Sequence, residues 1–205
     1  MMSFFLRGLV IGFSIAAPVG PIGVLCIRRT LADGRAVGFV SGLGAATADA
    51  IYGAIAGFGL TFLSGFLVRE QSWLRLVGGL FLCYLGVRTF TARPMASTGA
   101  EGSSRGLTAL WAAYATTFAL TLTNPMTVLS FAAIFAGLGV AARDYGSAGL
   151  LVAGVFAGSA LWWLILSSAA GAFRSRLRPE GLRWVNRAAG IVIATFGLIA
   201  LVSLR

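Results

Sequence analysis

Residues 8–27 read Gly8-Leu9-Val10-Ile11-Gly12-Phe13-Ser14-Ile15-Ala16-Ala17-Pro18-Val19-Gly20-Pro21-Ile22-Gly23-Val24-Leu25-Cys26-Ile27, a charge-free run between Arg7 and Arg28. About 20 apolar residues suffice for a helix to cross the hydrocarbon core of a bilayer. The run is therefore expected to be a membrane span, and its two prolines are expected to interrupt it. Proline removes a backbone donor and collides with the preceding turn. Gly20 between them eases the break. The small residues Ala16 and Ala17 could also end a secretory signal peptide. A retained span is the better reading, because apolar character continues to Ile27 and stops only at Arg28 and Arg29.

The rest of the chain follows this opening. Of its 205 residues 58% are hydrophobic and 11% charged, with a mean hydropathy of +0.90, far from the roughly 25% charged residues of soluble domains. Hydrophobic blocks place spans near 3–27, 37–62, 73–90, 108–140, 147–173 and 185–204. The expectation is an all-α integral membrane protein with six transmembrane helices in a single domain, 1–205. Its first half covers 1–90, a linker 91–106 and its second half 107–205. Arg75, beside Trp73, must reach the interface by snorkelling.

The net charge of +10 comes from sixteen basic residues, all of them arginine. They lie mainly between the apolar blocks, so they report topology rather than a nucleic-acid surface, for which no soluble domain remains. Arg28, Arg29 and Arg35, then Arg88, Arg93 and Arg105, then Arg174, Arg176, Arg178, Arg183 and Arg187 follow spans one, three and five. The positive-inside rule makes those loops cytoplasmic and puts both termini outside. The Arg174–Arg187 stretch is expected to anchor anionic lipid headgroups. Cys26 and Cys83 are isolated, and the chain has neither His nor Lys. Histidine-ligated haem or zinc, a Walker A loop and a Schiff base are thereby excluded, and no cofactor or metal site is expected.

The linker around Pro94 divides the chain into three spans plus three. A second three-span unit would then lie upside down relative to the first, an arrangement common among transporters, with binding at the repeat interface. Gly20-Pro21-Ile22-Gly23-Val24-Leu25 aligns with Asn124-Pro125-Met126-Thr127-Val128-Leu129, and Val40-Ser41-Gly42 with Thr47 aligns with Val152-Ala153-Gly154 with Ser159. Two inverted three-helix repeats with broken first and fourth spans are the expected architecture.

Non-helical backbone at membrane depth is tolerated only where protein or a water-filled cavity surrounds it. Pro18, Gly20, Pro21, Asn124 and Pro125 are accordingly expected to border a substrate pathway. Around the second break, the hydroxyls of Thr121, Thr123 and Thr127 can satisfy freed carbonyls or meet a polar solute. Asp49 is the single acidic residue well inside an expected span. At the helix centre a carboxylate costs roughly 2.5–3.5 kcal/mol on insertion scales, so it is functional by default. It can carry a proton, hold the ammonium of an amino acid, or serve a structural partner. Gly38 with Gly42 and Ala46, Gly53 with Gly57, and Gly154 with Gly158 have the spacing that lets helix backbones approach. Tyr52, Trp162 and Trp163 can face a pore or lipid.

These residues resemble the lysine exporter (LysE/RhtB) family of amino-acid efflux proteins. Ala16-Ala17-Pro18-Val19-Gly20-Pro21, the following Arg28-Arg29-Thr30-Leu31-Ala32-Asp33-Gly34-Arg35, the Gly-rich second span with Asp49, and Thr123-Asn124-Pro125 are similar to that family's motifs. The resemblance covers essentially the whole chain. It implies outward secondary transport of amino acids or related metabolites, driven by the proton gradient as an antiport, in the bacterial inner membrane. The chain departs from the family where many relatives read Pro-Gly-Pro followed by a polar residue, because Val19 and Ile22-Gly23 stand here. Rival readings are a metal-cation exporter of the same fold, which the lack of His disfavours, and a membrane assembly or scaffold protein. An enzyme is not expected, since Asp49 has no acid, base or nucleophile beside it. Expected partners are a small solute, protons, membrane lipids and, for a bundle this small, a second copy of the chain, with no nucleic acid.

Overall fold

The computed structural model describes residues 2–18, 20–58, 70–92, 103–124, 126–131, 144–177 and 179–203, and within these it is helical. Along the described residues run helices α1 (Met2–Ala16), α2 (Pro21–Asp33), α3 (Arg35–Gly57), α4 (Gln71–Thr91), α5 (Ser103–Leu122), α6 (Tyr145–Arg174) and α7 (Pro179–Val202). Residues 126–131 are also helical. Among the described residues α3, α4, α6 and α7 are long and apolar enough to cross a membrane, and the bent pair α1–α2 makes a fifth candidate. The linker residues 93–102, Pro125 and residues 132–140 of the expected fourth span lie outside the described residues.

The first span departs from the sequence expectation in its far end. α1 stops at Ala16, ahead of Pro18, and α2 starts at Pro21 with its axis turned by 81°. A residue before proline is pushed away from helical torsions, whereas proline at the first helical position lacks only a donor that would be unpaired anyway. Arg28 and Arg29 are therefore not loop residues. They sit on α2, which continues to Asp33. Gly34 alone joins α2 to α3, at φ 107. That left-handed torsion is open to glycine and costly for side chains with a Cβ.

Small residues set the packing. A Cβ on Gly154 would collide with the Phe5 carbonyl oxygen, and one on Gly158 with that of Leu9. Conversely, Gly8 and Gly12 face the Leu151 and Val155 carbonyls. α1 and α6 thus pack backbone to backbone, as small-xxx-small spacing permits. Gly44 brings α3 onto the Tyr114 carbonyl of α5, and Gly86 with Gly190 does the same for α4 and α7. Gly38 and Gly42 have different neighbours, the side chains of Thr30 and Trp163.

Apolar side chains point both inward and outward. One buried cluster joins Ile22, Leu25, Ala45, Leu120, Trp163 and Ile193, and another joins Ile11, Tyr52, Ile55, Val128, Leu151 and Val155. Outward, α4 exposes Trp73, Val77, Leu80, Tyr84 and Val87 along one stripe. Such a surface suits lipid, with Trp73 and Trp184 near helix ends where amphipathic rings prefer the interface. Arg75 donates to the Ser203 carbonyl at the end of α7, 2.6 Å away. Cys26 is buried and Cys83 partly so.

Candidate functional site

The two proline motifs do the same local job. Gly20 is the N-cap of α2, and its carbonyl accepts the Val24 N–H at 3.1 Å. Asn124 precedes helical residues 126–131, and its carbonyl accepts the Val128 N–H at 3.3 Å. Its side-chain Oδ1 also takes the Met126 N–H at 3.1 Å. Asparagine before proline is a strong helix-start pair, since the amide caps a free N–H that the ring does not supply. Each break thus ends one helix and starts another, leaving groups at both ends without a partner inside their own helix.

At the end of α5, Tyr52 of α3 donates its hydroxyl to the Leu122 carbonyl at 2.5 Å. The carbonyl freed by the second break is thereby satisfied from a neighbouring helix. Tyr52→Phe is expected to lower thermal stability in detergent by about 1 kcal/mol, the scale of one interhelical hydrogen bond. An unchanged melting temperature would show that the contact contributes nothing.

Between the breaks lies a cavity of about 70 Å³ lined by Pro18, Gly20, Pro21, Ile22, Gly23, Ala45, Asp49, Thr121, Asn124, Thr127 and Trp163, with Ile15 and Ala16. Of the nine residues singled out from the sequence at the breaks and at Asp49, seven meet here: Pro18, Gly20, Pro21, Asp49, Thr121, Asn124 and Thr127. Thr123 does not: its hydroxyl donates to the Ala119 carbonyl at 2.9 Å, the carbonyl-satisfying alternative. Pro125 lies outside the described residues. Gly20 has ordinary torsions, and a Cβ there meets nothing within 4 Å. Its smallness leaves the cavity open rather than relieving strain.

Asp49 is 3% exposed and Ser159 is fully buried. The Ser159 hydroxyl donates to Asp49 Oδ2 at 2.7 Å, and Trp163 Nε1 donates to Ser159 Oγ at 3.1 Å. One hydroxyl passes a hydrogen bond from indole to carboxylate, which orients the acid toward the two breaks. Among the described residues no arginine forms an ion pair with Asp49, the one ion pair being Arg28 with Asp33 at 3.6 Å. The carboxylate therefore lacks the cation a purely structural buried acid would need. Sequence reasoning passes over Ser159, which appears only in the faint match to Thr47. It also leaves Trp163 undecided, whereas Trp163 lines the cavity and Trp162 packs edge-on against Phe13 at 5.4 Å.

The model of the LysE type translocator family matches residues 13–204. The chain is 32% identical to "Putative amino acid efflux protein YcgF" of Bacillus subtilis (strain 168), over 96% of this chain and 94% of that one. It is 30% identical to "Uncharacterized membrane protein YahN" of Escherichia coli (strain K12), over 84% of this chain and 77% of the other. No solved structure matches it.

Proposed function

Because the chain belongs to the LysE type translocator family, whose members are membrane translocators and not enzymes, we propose that it is a secondary exporter of amino acids or related small metabolites. The observation that carries this reading is the meeting of both helix breaks on one cavity with the buried Asp49, which pairs with no arginine among the described residues. The cavity supplies the two halves of amino-acid recognition. Asp49 offers an acceptor for an ammonium, and the first turn of α2 offers unpaired N–H groups and the positive end of a helix dipole for a carboxylate.

A space of about 70 Å³ holds only a couple of water molecules. A solute therefore requires the breaks to part, and the structure corresponds to a narrow state of the pathway. Asp49 exchanges a proton for the solute's ammonium, which couples export to the proton gradient. Gly20→Leu is expected to preserve folding, given the open space at its Cβ, and to block passage by filling the cavity.

Six crossings in two inverted three-helix units complete the proposal. The packing supports it, since α1 on α6 has its counterpart in α5 on α3, while α4 on α7 and α3 on α6 pair equivalent helices of the two halves. The matching N-caps Gly20 and Asn124 support it too. The Arg-rich side is cytoplasmic and both termini are outside. A reporter fused after residue 205 is expected to be active outside, and cytoplasmic activity would refute the orientation. The transport reading is tested by measuring accumulation and efflux of a panel of amino acids in cells with and without the chain. Equal efflux of every solute in both would sink it.

A further inference from the structure

A second, larger recess of about 1620 Å³ opens beside the other end of α2. Arg28, Arg29, Arg35, Arg88 and Arg174 line it, with Asp33 as the single acid among its described lining. Asp33 is engaged by Arg28, whose Nε also donates to the Asn186 side chain at 2.9 Å. Arg35 donates to the Ser168 hydroxyl at 2.9 Å. Four arginines remain without a carboxylate partner among the described residues.

Arg29 stands at the floor of this basin. Its Nη1 is shared by Ser41 Oγ, Thr117 Oγ1 and the Ala113 carbonyl, each at 2.9 Å. All three acceptors are neutral, and its Nε and Nη2 take no hydrogen bond among the described residues. A guanidinium so placed has geometry left for a bidentate carboxylate. Arg29 lies eight residues beyond Pro21 on α2, about 12 Å along a helix axis. Ser41, Ala45 and Asp49 recur every fourth residue on α3, as Ala113, Thr117 and Thr121 do on α5. Ser41, Ala45, Asp49, Thr117 and Thr121 are all buried, so these two faces lead from Arg29 to the small cavity.

We propose that this arginine basin is the loading site of the transporter and selects cargo by charge: it takes solutes through a carboxylate, with Arg29 as the first specific contact, and rejects cationic ones. This rests on the exporter reading above and narrows it to neutral and acidic amino acids. A field of one sign inside a concave, low-dielectric wall raises the encounter rate of the opposite charge by 10-fold or more and repels its own.

The test uses the full chain in two measurements. Reconstituted in phosphatidylcholine vesicles, it is expected to move L-alanine and L-glutamate at least about tenfold faster than L-lysine, the scale of electrostatic steering. Arg88→Glu with Arg174→Glu is expected to shrink that ratio by about tenfold, and raised salt to shrink it partly. Lysine moved as fast as alanine, or a ratio indifferent to the charge reversal, overturns the basin proposal and leaves amino-acid export standing. In neutral detergent without lipid, L-glutamate is expected to raise the melting temperature of the wild type but not of Arg29→Gln. If that holds while no amino acid is transported, the basin stands and the exporter reading falls. Stabilisation by phosphatidylglycerol but not by glutamate would assign the basin to lipid headgroups and overturn the proposal.

Discussion

Asp49→Asn is expected to bring solute efflux down by about 10- to 100-fold, the equivalent of losing a charge-assisted hydrogen bond worth roughly 1.5–3 kcal/mol. Asparagine has the same shape and can still accept the Ser159 hydroxyl that now lies 2.7 Å from the carboxylate. What it cannot do is carry a proton or balance an ammonium. The same substitution removes a charge from membrane depth, where an acid costs roughly 2.5–3.5 kcal/mol on insertion scales. Melting temperature should thus stay level or rise while transport falls. Lost activity with gained stability separates a working acid from a structural one. Undiminished, proton-dependent efflux by Asp49→Asn would take Asp49 out of the mechanism.

Gly158→Ala carries the second large effect, and it acts on assembly. A single methyl at this position would be driven into the Leu9 carbonyl on α1. Neither partner can give way cheaply, because both atoms at fault belong to helix backbone. Overpacking of this kind costs about 1–3 kcal/mol, against the roughly 0.8–1.0 kcal/mol that alanine gains over glycine in a helix. Gly149 lies on the same helix, and a Cβ there meets nothing within 4 Å. Gly149→Ala should consequently be neutral or slightly stabilising. Folded yield and melting temperature of the two variants in one detergent make the comparison. Equal behaviour would mean that α1 and α6 are not held backbone to backbone.

Much of this site is legible in the residues themselves. Pro18, Pro21 and Asn124 announce helix breaks because a missing donor or a capping amide acts within a few residues of chain. Asp49 announces itself because an acid in an apolar run is costly wherever the run packs. The places where sequence reading stops are equally specific. Arg28 and Arg29 read as a loop, since two charges after an apolar run ordinarily mean water. In the fold they stay helical while Asn186, Ser41, Thr117 and the Ala113 carbonyl, brought in from other helices, accept part of their hydrogen bonds. Thr121 and Thr123 both donate their hydroxyls back to their own helix, to the Thr117 and Ala119 carbonyls, and only helix rotation puts Thr121 on the cavity wall and Thr123 away from it.

The amino-acid sequence by itself determined that the chain is a helical membrane protein, where its first helix breaks and which acid is out of place, because hydropathy, proline geometry and the cost of a buried charge are local quantities. Only the tertiary structure decided that Ser159 and Trp163 hold Asp49, that Tyr52 caps the second break, and that five arginines surround one basin. These depend on which helix faces meet between residues far apart in the chain, 70 positions for Tyr52 with Leu122 and 110 for Asp49 with Ser159. Here that meeting is governed by glycines whose effect exists only once a second backbone arrives.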